Sequence, residues 1–492
     1  MPSKATLSGK DREFFQLVSN AVSANPFEDR YVDLLAHISG GVDVPGPEQD
    51  RLVVERVGER VRKLEADGAA NIKLYPDADR NVVREGLLFE AYQRFCPAFD
   101  ELIVKQVAAG NESETVPFAD DALRLLAQRG FNAEDARRYF AIFYQLRRAY
   151  YFIENGLVGR SDCMKELRRR LWNNVFTHDI RLYEQHLWDR MEDFSTLLLG
   201  ETGTGKGTAA AAIGRSGFIP FNEKNGCFEE SFTRSFVSLN LSQFPESLIE
   251  SELFGHKRGA FTGAVEEHEG AFARCSPHGS IFLDEIGEVA VPVQIKLLQV
   301  LQERTFSPVG SHNQLRFRGR VIAATNRPLD QLRRSGQFRD DFFYRLCSDV
   351  ITVPPLHQRI REDERELDDL ITLIVGRLAG EVSAELKAKV RGAIDLSLGD
   401  DYAWPGNVRE LEQAVRRILL TRRYEGDHKA VAPDLRGQLM SGIDAGGLNA
   451  EQLLAAYCAL LYERHGTYEE VARRTKLDRR TAKSYVLKHR PK

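Results

Sequence analysis

Between an apolar run, Thr196-Leu-Leu-Leu-Gly200, and a run of small residues, Thr208-Ala-Ala-Ala-Ala212, the chain reads Gly200-Glu-Thr-Gly-Thr-Gly-Lys206. A strand running through a glycine turn straight into a helix constrains the chain more than any other feature, because it belongs to α/β architecture. Glycines let the backbone curl so that successive N–H groups converge on one point. The following helix N-terminus adds positive potential, and Lys206 can reach β- and γ-phosphate oxygens. The usual pattern ends in Gly-Lys-Ser/Thr, whose hydroxyl holds magnesium. Here Gly207 follows the lysine and Thr208 stands one place late. Taken alone, the loop is either a nucleotide cradle (Gly203, Thr204, Gly205, Lys206, Gly207, Thr208) or an ordinary glycine turn.

A second run narrows the choice. In Ser280-Ile-Phe-Leu-Asp284-Glu285 an apolar strand delivers two adjacent carboxylates to its C-terminal end. Asp284 can hold Mg²⁺ directly or through water, and Glu285 can polarise an attacking water. The rival is a polar strand end at a surface loop. With the glycine loop upstream, the pair is read as half of an ATPase site.

The same texture extends over about 157–360. Ser235-Phe-Val-Ser-Leu239 and Arg320-Val-Ile-Ala-Ala324 are two more short apolar runs, with helical stretches between. That alternation predicts a parallel sheet covered on both faces. Residues 1–156 read as mostly helical. In 133–154, Tyr139, Phe143, Leu146 and Tyr150 recur at helical spacing, and Phe140, Tyr144 and Tyr151 make a parallel stripe. Asn132 is the expected cap and Gly156 the stop. So broad an aromatic band is most simply a buried helix face, with a ligand pocket or a docking surface as rivals. Residues 361–436 read as helical and charged, and their opening, Arg361-Glu-Asp-Glu-Arg-Glu366, as a solvated helix face.

Composition sets the outer limits. With 492 residues and a formal net charge of −4, the chain has room for several cores and is no wholly basic nucleic-acid coat. No apolar run reaches membrane-spanning length, and the N-terminus lacks the apolar core of a secretory leader. The six cysteines form no CxxC pair, so reduced thiols and a cytoplasmic setting are expected.

One stretch then points to a family. Glu250-Ser-Glu-Leu-Phe-Gly-His-Lys-Arg-Gly259-Ala-Phe-Thr-Gly-Ala264 contains the hexapeptide GAFTGA. With the two motifs above, it resembles the AAA+ ATPase domain of bacterial enhancer-binding proteins, the activators of sigma-54 RNA polymerase. The resemblance implies a P-loop α/β domain with a helical lid, ATP and Mg²⁺ as cofactors, and a ring of subunits, most simply a hexamer. It makes Phe261 and Thr262 the tip that contacts sigma-54. Two flanking glycines suit such a tip to being raised or lowered by small backbone changes.

Other assignments are carried over on matching positions. The backbone near Val158, in Leu157-Val-Gly-Arg-Ser161, is expected to face adenine. Asn326, ending Ala323-Ala-Thr-Asn326, reads the γ-phosphate. Arg339 and Arg345, six apart, act as fingers on ATP held by the neighbouring subunit. Arg409, in Trp404-Pro-Gly-Asn-Val-Arg409, is the lid sensor. Asn240, 21 residues before Phe261, restrains the catalytic glutamate.

There are departures from the pattern. Glycine stands at 207 where glutamate is usual, and Pro354-Pro-Leu-His-Gln-Arg359 is less basic than the family's version. The 34 residues from Lys206 to Asn240 make a long spacing, with the excess expected in Phe218–Phe232, and Gly159 to Gly200 also runs long. Both insertions are expected to enlarge surface loops.

The tail, 449–492, is helical and ends basic. Residues 462–492 hold ten Lys/Arg against four Asp/Glu. That is the footprint a phosphate backbone needs. Val471, Ala472, Leu477, Ala482, Val486 and Leu487 are expected to pack two short helices around a turn. The pattern resembles the Fis-type helix-turn-helix. Its second helix, about 478–488, would present Arg479, Arg480, Thr481, Lys483, Ser484 and Tyr485 to the major groove of double-stranded DNA. Lys476 stands where a turn glycine is common.

The expected organisation is therefore multidomain: a helical regulatory region (1–156), an α/β AAA+ P-loop core (157–360), a helical lid (361–436), a linker (437–448) and a C-terminal helix-turn-helix (449–492). Residues 1–156 lack the strand-end acids of a phosphoacceptor domain and are expected to sense a small ligand or a protein. The function implied is ATP-driven remodelling of the sigma-54 closed promoter complex from an upstream DNA site. The alternative is a DNA-binding regulator, or an AAA+ remodeller, whose ATPase acts on another partner.

Overall fold

The computed structural model describes residues 5–489 except 42–43, 45, 381–382, 400–401, 427–438, 441 and 444–445. The expected lid end at 436 and much of the 437–448 linker lie outside the described residues. The chain divides into two compact units, Met1–Gly392 with Tyr402–Leu419, and Ala393–Asp401 with Leu420–Lys492.

The first unit begins with six principal helices: α1 (Gly9–Ser23), α2 (Asp29–Ile38), α3 (Gly46–Ala66), α4 (Asp77–Ala109), α5 (Ala119–Gln128) and α6 (Ala133–Gly156). α6 starts where its cap predicts, with Asn132 Oδ1 accepting from the Asp135 N–H at 2.8 Å. Next come α7 (Asp162–Phe176), β1 (Thr196–Leu199), the glycine loop and α8 (Lys206–Gly214). The sheet is completed by β2 (Phe236–Asn240), β3 (Ser280–Asp284), β4 (Arg320–Thr325) and β5 (Asp349–Thr352). Its order is β2-β3-β4-β1-β5, parallel throughout. The sequence reading found four of these strands and missed β5, a four-residue run that opens on an acid.

β3 and β4 are buried along almost their whole length, as a sheet covered on both faces requires. One face packs Leu197, Leu283, Val321 and Ala323 against α9 (Glu246–Phe254) and α10 (Val291–Glu303). The other packs Leu198, Phe282, Ile322 and Ile351 against α8, α7 and the C-terminal part of α6. α6 is thus shared between the helical region and the sheet.

The expected surface loops prove to be core. Residues 218–232 form a small hairpin, Phe221–Asn222 against Cys227–Phe228. Its aromatic side chains pack into the stripe on α6. Phe228 stacks on Tyr144 with ring centroids 4.1 Å apart, Phe221 meets Phe140 edge-on at 5.0 Å, and Phe232 meets Phe152 at 5.3 Å. The long stretch before β1 behaves likewise. A turn of π-helix, Tyr183–Leu187, buries Tyr183, whose hydroxyl donates to Gln145 Oε1 on α6 at 2.9 Å. Apolar area, not loop length, decided both cases.

A second correction concerns the charged opening of the 361–436 segment. After α11 (Asp340–Leu346) and α12 (Leu356–Glu362), α13 (Arg365–Ala379) starts that segment. Glu366 in its first turn is fully buried, not solvated. It pairs with buried Arg359 at 2.7 Å and accepts from the Ser161 N–H and hydroxyl at 2.7 and 2.6 Å. The helix α14 (Asn407–Thr421) follows.

In the second unit, α15 (Ala450–His465), α16 (Tyr468–Thr475) and α17 (Arg479–His489) pack around Cys458, Leu461, Val471, Ala482 and Val486. Leu487, expected in that core, is half exposed, because the apolar face of α17 is already filled by Ala482 and Val486. Among the described residues no helix is long and apolar enough to cross a membrane.

Candidate functional site

The parallel strands end on one edge, and the chemistry gathers there. The Lys206 ammonium donates to the Gly200 and Glu201 carbonyls at 2.9 and 3.0 Å, which folds the loop over its own lysine. Burial lowers the Lys206 pKa, opposed by the charges of Glu285 and Asp284. Gly205 at φ +103° supplies a backbone shape that side chains resist, and Thr204 closes the turn by donating to the Glu201 carbonyl at 3.0 Å. Thr208, in the first turn of α8, is exposed.

Asp284 and Glu285 stand at the end of β3. Burial raises both carboxyl pKa values, and Asp284 raises Glu285 further. Among the described residues neither forms a salt bridge. Glu285 adopts a left-handed conformation, φ +58° and ψ +44°, unusual for a residue with a side chain. Two desolvated acids beside a buried lysine suit a divalent cation and phosphate. No cluster of three or more metal-ligating side chains exists among the described residues. Asp284 would hold Mg²⁺ with water and phosphate oxygens completing the shell.

Asn326 bridges these parts. Its Nδ2 donates to Thr202 Oγ1 at 2.7 Å, and its backbone N–H lies 3.4 Å from Glu285 Oε2. Asn240 pairs in register with Asp284, but its amide oxygen accepts from the Ser242 N–H and hydroxyl at 3.0 and 2.7 Å. The structure therefore places Asn240 beside the acids with its oxygen turned to its own loop, and records no bond to Glu285.

The turn opening α14 packs against the loop. A Cβ on Gly203 would strike the Gly406 carbonyl and lie 2.9 Å from Arg409 Cβ. The positive charge of Arg409 acts on both Lys206 and Asp284. Asn407, buried at φ +52°, donates to Glu201 Oε2 and the Thr202 carbonyl at 3.0 and 3.1 Å and accepts from the Leu356 N–H. Sequence reasoning placed Asn407 and Thr202 within motifs but assigned neither a role. Only the folded contact reveals one.

Around Val158, Arg359 donates to the Val158 carbonyl at 2.6 Å and Arg168 to those of Leu157 and Gly159. Arg339 and Arg345 lie elsewhere. Arg339 pairs with Asp341 at 2.7 Å, and Arg345 donates to the Leu301 carbonyl at 3.1 Å. Neither is bonded to the loop or the acids of its own chain.

The GAFTGA segment forms a tight exposed turn. The Gly259 N–H donates to the Ala264 carbonyl at 2.8 Å, with Gly259 at φ +80° and Gly263 at φ +102°. Phe261 and Thr262 are exposed at the tip, with Phe261 edge-on to His256 at 4.9 Å. The loop after α10 supports it, since the Lys257 N–H donates to the Val309 carbonyl and Gly310 packs on Ala260.

The sequence profile described as "Sigma-54 interaction domain" matches residues 180–352, which span the loop, the acids and this hairpin. A sigma54-dependent transcriptional activator, SfnR of Pseudomonas putida, is 37% identical over 286 residues, covering 56% of this chain and 71% of the relative. The chain belongs to the sigma-54-dependent transcriptional activators. A Nif-specific regulatory protein of Azotobacter vinelandii is 37% identical over 309 residues, 62% of this chain and 52% of the relative. The DNA-binding transcriptional regulator NtrC of Azospirillum brasilense is 38% identical over 265 residues, 53% of this chain and 47% of the relative. The chain thus spans about half the length of these last two relatives.

For a sigma-54-dependent activator, glycine at 207 leaves room for the missing side chain, since a Cβ there meets nothing within 4 Å. In the tail, Arg479, Arg480, Lys483 and Ser484 are exposed on α17, while Thr481 and Tyr485 are partly buried and Tyr485 leans on the helical core. Asp478 Oδ1 caps α17 by accepting from the Arg480 and Thr481 N–H groups, each at 3.0 Å. Lys476 takes the left-handed turn at φ +57°.

Proposed function

We propose that this activator hydrolyses ATP to drive the Phe261–Thr262 tip against sigma-54, opening promoter complexes from an upstream DNA site held by α17. The reading rests on one arrangement. A single α/β body carries Lys206, Asp284 and Glu285 at its strand ends and, through the loop after α9, a glycine-flanked aromatic and hydroxyl exposed to a partner. Bound Mg²⁺-ATP supplies a γ-phosphoryl electrophile whose charge the cation partly neutralises.

The chain's own groups do the rest. Loop N–H groups and Lys206 hold the phosphates, and Glu285 orients the water. Asn326 ties Glu285 to the loop through Thr202, so a change at the phosphate is felt by both. The backbone near Val158 borders the base. Arg409 senses the nucleotide from the lid. Arg339 and Arg345, engaged away from their own site, are the groups a neighbouring subunit would receive in a ring, most simply a hexamer. Asn240, in register with Asp284 on β2, is the residue that restrains Glu285 once its amide turns from its own loop. On the tail, Arg479, Arg480, Lys483 and Ser484 reach DNA directly, with Thr481 and Tyr485 at the edge of that face.

The test is transcription from a sigma-54 promoter with purified components. Thr262→Ala should hydrolyse ATP normally and form no open complexes. Open complexes at the wild-type level would remove the tip from the mechanism.

A further inference from the structure

The helical region contains a cavity of about 520 Å³ bounded by α1–α4, α6 and α7. The stripe of α6 that does not meet the insertion hairpin lines it, through Tyr139, Phe143, Leu146 and Tyr150. The opposite walls mix aliphatic side chains such as Val22, Leu35, Val53 and Leu88 with the aromatic Tyr31, Phe89, Tyr92 and Trp172. Phe27 braces two of these rings from behind, stacking on Tyr150 at 5.7 Å and meeting Trp172 at 6.0 Å.

Three charged side chains line the space: Asp50, Arg147 and Glu184. Two are already neutralised. Arg147 is held by Asp100, with Nη2 to Oδ2 at 2.8 Å. Glu184 accepts from the Tyr139 hydroxyl and stands 3.8 Å from Arg84. Asp50, at a solvent-exposed position of the lining, has no hydrogen bond or ion pair among the described residues. Its carboxyl pKa is raised by desolvation, and its charge acts on the Tyr31 hydroxyl inside the cavity. The lining therefore presents one unpaired carboxylate at an exposed position, beside aromatic rings of which Tyr150 already carries the Arg147 guanidinium at 5.2 Å.

We infer that this cavity binds a small organic cation, an amine or quaternary ammonium on an apolar body, with Asp50 as counter-ion at its solvent-exposed side and Tyr31, Tyr92 and Trp172 among its walls. A cation there gains from the Asp50 charge and from any ring face it meets, whereas an anion is repelled by Asp50.

The cavity is joined to the ATP site by α6. Beyond the lining residues, Arg148 donates to the Arg215 and Gly217 carbonyls, each at 2.7 Å, and Gln145 to the Ser216 carbonyl at 2.8 Å. These carbonyls lie just past the end of α8, the helix that begins at Lys206. At the other end, a Cβ on Gly156 would lie 3.3 Å from Thr208 Cγ2 in the first turn of α8. Occupancy that shifts α6 therefore acts on the phosphate-binding helix at both ends. This transmission rests on the ATPase reading, while the binding itself does not.

The experiment uses the full chain and three isosteric probes of differing charge: benzylamine, benzyl alcohol and benzoate. Binding is read by quenching of Trp172 fluorescence and by thermal shift, neither of which needs ATP turnover. Trp172→Phe identifies its share of the fluorescence. Benzylamine should quench and stabilise, the neutral and anionic probes should bind at least about tenfold more weakly, and Asp50→Asn should weaken benzylamine by about tenfold or more. Equal binding of the three probes, no benzylamine binding at millimolar concentration, or full affinity in a folded Asp50→Asn chain would each overturn the site. Should that variant not fold, the charge ranking in the wild-type chain decides alone. Saturating benzylamine should change the ATPase rate. An unchanged rate with intact quenching would overturn the transmission through α6, and absence of ATPase activity with intact quenching would instead sink the ATPase reading.

Discussion

The Arg359 guanidinium and the Glu366 carboxylate meet at 2.7 Å with both side chains buried. Around them lie the Val158 carbonyl, which accepts from Arg359, and the Ser161 N–H and hydroxyl, which donate to Glu366. One ion pair thus fastens the segment entering the α/β domain to α13. Removing one member leaves the other charged and buried, a loss of about 3–5 kcal/mol. Glu366→Ala is expected to lower the denaturation midpoint accordingly and to weaken nucleotide binding, since Val158 lies in the fastened segment. Midpoint and nucleotide affinity, measured on one preparation, check both. Wild-type values of each would show the pair to be dispensable.

The acids at the end of β3 carry the opposite lesson. Burial raises the pKa values of Asp284 and Glu285 in the folded chain. A folded pKa above the unfolded one gives stability at low pH that is lost as pH rises through the folded value. Where the pH lies above those raised values both acids are charged, and the nucleotide-free fold bears their desolvation. Asp284→Asn should therefore raise the melting temperature of the nucleotide-free chain while abolishing Mg²⁺-dependent hydrolysis. A lower melting temperature would contradict this sign.

Because Glu285 must be ionised to orient water, the acid limb of the ATPase pH profile should lie above the ordinary glutamate value of about 4.3. Glu285→Gln should remove that limb together with turnover. A profile whose limb sits at or below the ordinary value would assign the water-orienting role to another group.

Arg345 is bonded to the Leu301 carbonyl and not to its own nucleotide site. Arg345→Ala should bind ATP normally and lose turnover by about 10³–10⁵-fold. Mixed with Lys206→Ala chains, which keep their arginines but bind no nucleotide, Arg345→Ala chains should recover part of the rate. No recovery over a range of mixing ratios would place the arginine's action within its own chain.

Lys476 occupies a left-handed turn between α16 and α17. Glycine adopts that shape without the Cβ clash, so Lys476→Gly should stabilise the three-helix unit by about 1 kcal/mol. That corresponds to amide exchange across 468–489 slowed by about fivefold. DNA affinity should fall slightly at low salt, because a positive charge is lost. Faster exchange would mean that Lys476 makes a contact worth more than the strain it carries.

Local motifs were legible because their chemistry is written in consecutive residues. The glycines around Lys206, the acids ending β3 and the glycines flanking Phe261 each dictate a backbone shape within a few positions. Burial was not legible in the same way. Glu366 sits in a run of charges that reads as a wetted surface, and only Arg359 and Ser161 brought beside it make burial tolerable. Residues 218–232 read as a loop enlargement, yet Phe221, Phe228 and Phe232 fill the space beside Phe140 and Tyr144. The roles of Thr202 and Asn407 were equally hidden, since their partners Asn326 and Glu201 lie more than a hundred positions away.

The amino-acid order alone therefore determined the α/β body, its phosphate loop, its acid pair and its exposed turn, because short-range backbone sterics and short continuous apolar runs act without reference to the rest of the chain. Tertiary structure decided which charges are buried in pairs, which aromatic stripe of α6 is packed and which is left lining a cavity, and how that helix is tied to the phosphate-binding one. Those outcomes depend on surfaces far apart in sequence competing for the same contact, and no local rule ranks them before they meet.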